Sequence, residues 1–323
     1  MPGLGRTGWM TLAVLVALAI VPPALFSSGQ AFYLDLATRL VILGVAAVSL
    51  NLILGYGGMV SFGHAAFIGL GAYAVGIPAY HATWGGFEGV ATYGGLFQMM
   101  LAIGIAALFA LITGAISLRT KGVYFIMITM AFGQMVFFLF QSLDVYNGDD
   151  GLTIDVRSEL PFINLDSPLQ LYYLCFVSLV VAMLIKHMIV NSRFGMVLQG
   201  AKGNNERMIA LGFNTYLYRL TAYVISGAMC GYAGFLMGNF TTFVSPAMTH
   251  WTRSGELIFM VILGGAGTVL GPVLGSAVFI LLEEALTNVT IYWHLYFGLV
   301  LIAVVLFARG GLMSFLGQRR GGG

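Results

Sequence analysis

Charged side chains are the first thing this sequence lacks. Asp, Glu, Lys and Arg make up only 8% of its 323 residues, while 59% are hydrophobic. A soluble domain carries about a quarter charged residues, so a water-soluble fold is excluded. A nucleic-acid surface is excluded too, because no basic stripe is present to neutralise phosphates. Cysteine is nearly absent. Cys175 and Cys230 both lie in apolar runs, which argues against a disulfide framework and offers no metal-ligand spacing; both read as small core residues. No G-x-x-x-x-G-K-[ST] phosphate loop occurs. The cluster Gly264-Gly265-Ala266-Gly267 is not followed by Lys-Ser or Lys-Thr. If ATP drives this protein, another chain must bind it. No nucleophile–base pair or metal cluster is evident, so membrane enzymology has little support.

What is abundant is apolar sequence of membrane length. A span needs about 20 apolar residues. Ten such windows lie near 9–27, 36–54, 57–80, 96–118, 121–141, 169–190, 219–240, 254–268, 271–290 and 293–309. The third is broken by glycine and the eighth is short, so either could be re-entrant. Arg6 precedes an apolar run longer than the ~7–15 residues of a signal-peptide core, and a retained first helix is expected. With residues 191–218 placed in the cytoplasm, eleven of the fourteen Lys and Arg lie on that side. Only Arg39, Arg157 and Arg253 lie opposite, an asymmetry that fixes the orientation. Both termini are then cytoplasmic. The acidic residues fall almost wholly outside, concentrated in the loop 142–168. The expected fold is all-α: one transmembrane domain over 1–323, a polytopic bundle of about ten helices.

Glycine is where lipid-crossing alone would not put it. The run 53–73 carries Gly55, Gly57, Gly58, Gly63, Gly69 and Gly71 together with Ser61 and His64. Irregular backbone at membrane depth survives only where protein or a water-filled cavity covers it. The run therefore packs inside a bundle or lines a path, which points to transport. An internal echo supports this: Ile53-Leu54-Gly55-x-x-Gly58-x-Val60 against Ile262-Leu263-Gly264-x-x-Gly267-x-Val269. Paired glycine breaks are a pointer to a translocation path; chance in a glycine-rich chain is the rival. The path candidates are Gly57, Gly58, Ser61, His64, Thr129, Gln134, Gly264 and Gly265. For each polar member, a hydrogen bond between helices is the competing reading. Glu283 and Glu284 could form a proton or cation site, or reach the outer interface. Asp35 with Arg39, and Arg253 with Glu256, have the spacing of local helical ion pairs.

Residues 191–218 form the one sizeable hydrophilic segment inside. They predict two short helices, over 194–201 and 205–211, with Asn204 as the cap of the second and Gly212 as its stop. Met208, Ile209 and Leu211 give the second helix an apolar surface; Glu206 and Arg207 give it a polar one. Such a helix fits a partner's groove or simply connects two spans. In the outer loop, Asp149, Asp150 and Asp155 lie close together but lack the ligand spacing of an EF-hand.

Several separated motifs resemble one family. V-S-F-G-H-A-A-F-I-G-L-G-A-Y at 60–73 and L-R-T-K-G-V-Y-F-I-M-I-T-M-A-F-G-Q at 118–134 are similar to the hallmarks of permease subunits of branched-chain amino-acid ABC importers. So are N-G-D-D-G-L-T at 147–153, S-R-F-G at 192–195, A-L-G-F-N at 210–214, V-S-P at 244–246 and L-G-G-A-G-T-V-L-G-P-V-L-G at 263–275. In order and spacing they cover nearly the whole chain, and they resemble the M-type permease more than the H-type. The resemblance implies a heterodimeric pore with an H-type permease in a bacterial-type inner membrane. It also implies two cytoplasmic ATPases that bind ATP and magnesium, and an extracytoplasmic substrate-binding protein. The segment 191–218 would hold the coupling helix, with Arg193, Gly195, Lys202, Asn204, Glu206, Arg207, Met208, Leu211 and Gly212 as the coupling residues. Asp149, Asp150 and Asp155 would dock the binding protein. Two departures stand out: Met196 replaces a basic residue, and Asn204-Asn205 replaces Asn-Glu, leaving this loop less charged than its counterparts. The expected function is half of an import path for branched-chain or related neutral amino acids. The alternatives are urea or short amides as cargo, an ion-coupled secondary transporter, and a non-transporting scaffold.

Overall fold

The computed structural model describes residues 6–86, 89–161, 163–289, 291–292, 295–300, 302 and 311–315. Eight of its helices are long and apolar enough to cross a membrane. They are α1 (Arg6–Ser27), α2 (Ala31–Asn51, extended by a π-helical turn, Leu52–Tyr56), α3 (His64–Trp84), α4 (Gly95–Ser117), α5 (Val123–Gln141), α6 (Pro168–Asn191), α9 (Thr215–Thr241) and α11 (Gly271–Val289). Two short helices, α7 (Arg193–Gly203) and α8 (Asn205–Ala210), follow α6, and α10 (Trp251–Gly264) precedes α11. The helical class follows from the solvent: lipid offers no hydrogen bonds, so each spanning segment must satisfy its own backbone. The one sheet described pairs β1 (Leu152–Thr153) with β2 (Phe243–Val244) antiparallel, in the loops that follow α5 and α9.

Helices α2, α3 and α9 form the centre. Their apolar windows are 83%, 72% and 56% buried, against 6% for α1 at the periphery. Lipid tails are as apolar as leucine, so close backbone approach rather than hydrophobic expulsion must hold the centre. Glycine permits that approach. A Cβ on Gly71 of α3 would overlap the Gly231 carbonyl of α9, and one on Gly234 would overlap the Ile68 carbonyl. Cys175 and Cys230 are buried free thiols, as their apolar surroundings predict.

The chain has two distinct faces. Residues 85–86, 89–94, 142–161 and 163–167 and the β1–β2 pair lie at one. Helices α7 and α8, the loop 265–270, and Gly8 of α1 beside His187 and Met313 lie at the other. The third segment is an irregular link, residues 57–63, followed by α3, which is long enough to cross. The eighth is an irregular run after β2 followed by α10, whose 14 residues, about 21 Å long, are shorter than a core about 30 Å thick. The tenth window, 293–309, lies outside the described residues except for 295–300 and 302.

One local ion pair forms and one does not. Arg253 Nη1 bonds Glu256 at 2.9 Å. Arg39 ignores Asp35 one turn away and donates to both oxygens of Glu283, at 2.9 and 3.1 Å, from a residue 244 positions distant. A pair between two packed spans is shielded from water, whereas Asp35 lies near the exposed start of α2.

Candidate translocation region and coupling loop

The two echoed glycine segments meet in space. Asn51 accepts from Gly267 N at 2.9 Å and donates to Thr268 O at 2.9 Å. Gly55 lies so close that a Cβ there would overlap Gly267 N. Two lysines close the cluster. Lys186, fully buried, donates to Val269 O at 2.8 Å and Thr268 O at 3.3 Å. Lys202 of α7 donates to Gly55 O at 2.6 Å, and its stem crosses Gly58, whose φ of +69° favours glycine. Gly264 and Gly265 (φ +115°) form the turn that delivers the second segment.

From this cluster the link 57–63 climbs into the bundle. Phe62 N donates to Thr129 Oγ1 at 3.2 Å, and a Cβ on Gly63 would sit 2.8 Å from Thr129 O. Thr129 lies six residues into α5, so α3 begins inside the bundle. Helix α10 begins there as well: Ala65 N donates to Ser254 Oγ at 2.9 Å, joining the first turns of both. Each start leaves backbone N–H groups without intrahelical partners and a partial positive charge, the arrangement that discontinuous helices bring to solute paths.

The path candidates divide into separate groups. His64, Ser61 and Thr129 are buried around the start of α3. Ser226 Oγ donates to Ser49 O at 2.7 Å and so accepts from His64 Nε2 at 2.9 Å. This assigns the proton to Nε2, with Nδ1 left as a bare, unpartnered nitrogen. Rings of Phe67 and Tyr223 pack edge-on against the imidazole. His64 thus ties α3 to α9 and α2 in this conformation. Ser61 accepts from Gly63 N at 3.3 Å. Gly57, Gly58, Gly264 and Gly265 belong to the turn cluster. Gln134 stands apart on α5, half-buried, with its Nε2 enclosed and unpartnered. Sequence reasoning missed Asn51 and counted Lys186 only among the cytoplasmic-side charges; neither burial nor a partner over 80 residues away leaves a local signal.

The loop forms as its capping residues predict. Ser192 caps α7 by accepting from Gly195 N at 3.3 Å, and Asn204 caps α8 by accepting from Arg207 N at 3.0 Å. Gly212, at φ +89°, ends it. Met208 turns inward, close enough that a Cβ on Gly200 would stand 2.7 Å from its sulfur. Ile209 and Leu211 stay 50% and 64% exposed, an apolar patch that the rest of the chain leaves uncovered. Arg193, Arg207 and Glu206 are exposed, and Glu206 meets Lys121 at 3.6 Å. Replacing Asn204 by Ala removes the cap and should cost about 1 kcal/mol. Amide exchange in residues 205–211 is then expected to quicken roughly five-fold; unchanged exchange would count against the cap.

The opposite loop is tied down. Ile154 N donates to Thr242 O and Ser158 N to Asn239 Oδ1, each at 2.9 Å, while Ser158 Oγ bonds Gln98. Asp149, Asp150 and Asp155 stay exposed on it, and no metal-binding cluster occurs among the described residues.

A polytopic helical bundle with broken helices at its centre is an architecture that membrane permeases use. Residues 32–308 match the family described as branched-chain amino acid transport system / permease component, and the chain belongs to that family. It is thus the permease component of an ABC importer. It is 23% identical to the high-affinity branched-chain amino acid transport system permease protein LivM of Escherichia coli, covering 94% of this chain and 74% of that protein. It is 24% identical to a probable LivM of Methanocaldococcus jannaschii, over 83% and 89%. A shorter similarity, 27% over 40% of each chain, joins it to the autoinducer 2 import system permease protein LsrC of Salmonella typhi. No solved structure matches.

Proposed function

We propose that this chain is the M-type half of a heterodimeric import pore for branched-chain or related neutral amino acids. An H-type permease supplies the other half. Two ATPase subunits bind ATP and magnesium in the cytoplasm, and a binding protein delivers the solute outside. The membrane is the bacterial-type inner membrane, with both termini cytoplasmic as the positive charge requires. The observation that carries the reading is mechanical. The exposed apolar patch of α8 is one helix away from Lys202, which grips the carbonyl where α2 breaks. A partner pressing on α8 would move α7 and, through it, both glycine turns. The loop residues from Arg193 to Gly212 then serve coupling, and Asp149, Asp150 and Asp155 face the binding protein.

The test is purification of the tagged chain from its native membrane in mild detergent, with partners identified by mass spectrometry. Co-recovery of two ATPases and a second permease is expected, with ATP-dependent uptake of leucine, isoleucine or valine after reconstitution. A chain that purifies alone and takes up solute on an ion gradient would overturn the reading. Uptake of urea or short amides alone would keep the machine and change its cargo.

A further inference from the structure

The positive-inside asymmetry leaves three arginines away from the cytoplasmic side, and all three line adjoining cavities. One cavity, of about 220 Å³, is bounded by Arg39 of α2, Thr241 of α9, and Arg253 and Glu256 of α10. The other, of about 310 Å³, shares Thr241 and is lined by Asp35 and Arg157. A bundle that segregates charge so strictly has a reason to keep these groups together.

We propose that the smaller cavity is a solute site inside this subunit that receives a zwitterionic amino acid with an aliphatic side chain. This rests on the import reading above. Charge balance is the first argument. Arg39 pairs with Glu283 and Arg253 with Glu256, so the four groups sum to zero while presenting both signs. A net anion or cation entering would leave a charge there without its counterpart. A zwitterion does not. Donors are also in excess. Arg39 uses only Nη2, and Arg253 only Nη1, toward their carboxylates, while each guanidinium carries five N–H groups. They can take a carboxylate as Glu256 takes the ammonium. The remaining wall is apolar: Leu43, Ile68, Leu257 and Met260, suited to a branched hydrocarbon chain. The size is below the roughly 300–1,000 Å³ of drug-sized pockets, which fits one free amino acid. Urea would need neither the charges nor the apolar wall. Ile68 belongs to the opening turns of α3, and Arg253 to the first turn of α10. The cavity therefore sits on the two helix starts that lie inside the bundle.

The test uses the assembled complex in proteoliposomes, with its binding protein saturated by each labelled amino acid in turn. Arg253→Gln and Glu256→Gln are each expected to slow leucine uptake about ten-fold or more. The exchange Arg253→Glu with Glu256→Arg rebuilds the ion pair with reversed polarity. It should stay slow if the pair receives solute; recovery of the wild-type rate would make the pair structural and overturn the site. Met260→Ala, which enlarges the apolar end, should raise phenylalanine uptake relative to leucine and gives a readout if the charge variants do not assemble. Wild-type uptake of aliphatic amino acids with unchanged rates and selectivity in all variants would also overturn the site, while leaving the import reading intact. A wild-type complex that carries no such amino acid would remove the site and the amino-acid cargo together, while leaving the ATP-driven machine itself intact.

Discussion

Replacing Gly71 by Val is expected to remove the assembled subunit from detergent extracts almost completely. The backbones of α3 and α9 touch at this point: a Cβ on Gly71 would overlap the Gly231 carbonyl, and one on Gly231 would overlap Ala106 of α4. Three helices thus cross with nothing larger than the Ala106 methyl between them. Overpacking with one or two methyl groups in a core that can yield costs about 1–3 kcal/mol. Here the obstacle is backbone, which cannot rotate aside. Lipid gives no compensating gain, because a separated helix face is solvated by hydrocarbon as well as by leucine. Gly104→Val is the control, since nothing stands within 4 Å of a Cβ there. Size-exclusion profiles of the two variants should differ by about an order of magnitude in folded yield, given an energy gap of at least ~1.4 kcal/mol. Equal yields would mean that α3 and α9 are not in contact as described.

Much of this architecture was legible in the chain. Apolar length gave the spans, Asn204 and Gly212 marked the ends of α8, and the glycine run at 53–73 announced a break. These signals are local. The echo between 53–60 and 262–269 was legible as a pattern, but its contact, with Asn51 bridging to Gly267 and Thr268, was not. Nothing in a helix sequence states which distant turn will dock on it. Arg39 shows the same limit. Spacing offered it Asp35, four residues away, and packing supplied Glu283 from α11 instead. Lys186 was counted as a cytoplasmic charge because the orientation rule counts positions along the chain. Its full burial depends on a loop 82 residues later. The solute cavity was hidden for a like reason: its charges come from α2 and α10, and its apolar wall also needs α3.

Lys202→Met is expected to uncouple the transporter. Uptake should fall about ten-fold or more while ATP hydrolysis by the complex continues, since a hydrogen bond from a charged donor is worth about 1.5–3 kcal/mol. The reason lies in what α7 joins. Its Ala201 carbonyl accepts from Arg219 of α9 at 2.9 Å, and Lys202 beside it donates to Gly55 O at 2.6 Å. Gly55 lies in the π-helical turn of α2 and against Gly267, in the loop that leads to α11. Motion of α7 therefore reaches α2, α9 and α11 through two hydrogen bonds and one glycine contact. Methionine keeps the apolar stem that crosses Gly58 and deletes only the ammonium, so packing is preserved and the Gly55 carbonyl loses its donor. Lys121→Met is the control on the same face. Its partner Glu206 is 3.6 Å away, and both side chains are at least 70% exposed, so screening leaves that pair worth ~1 kcal/mol at most and uptake should change little. Matched loss in both variants would indicate a general need for positive charge at this face, and normal coupling in Lys202→Met would place transmission outside α7.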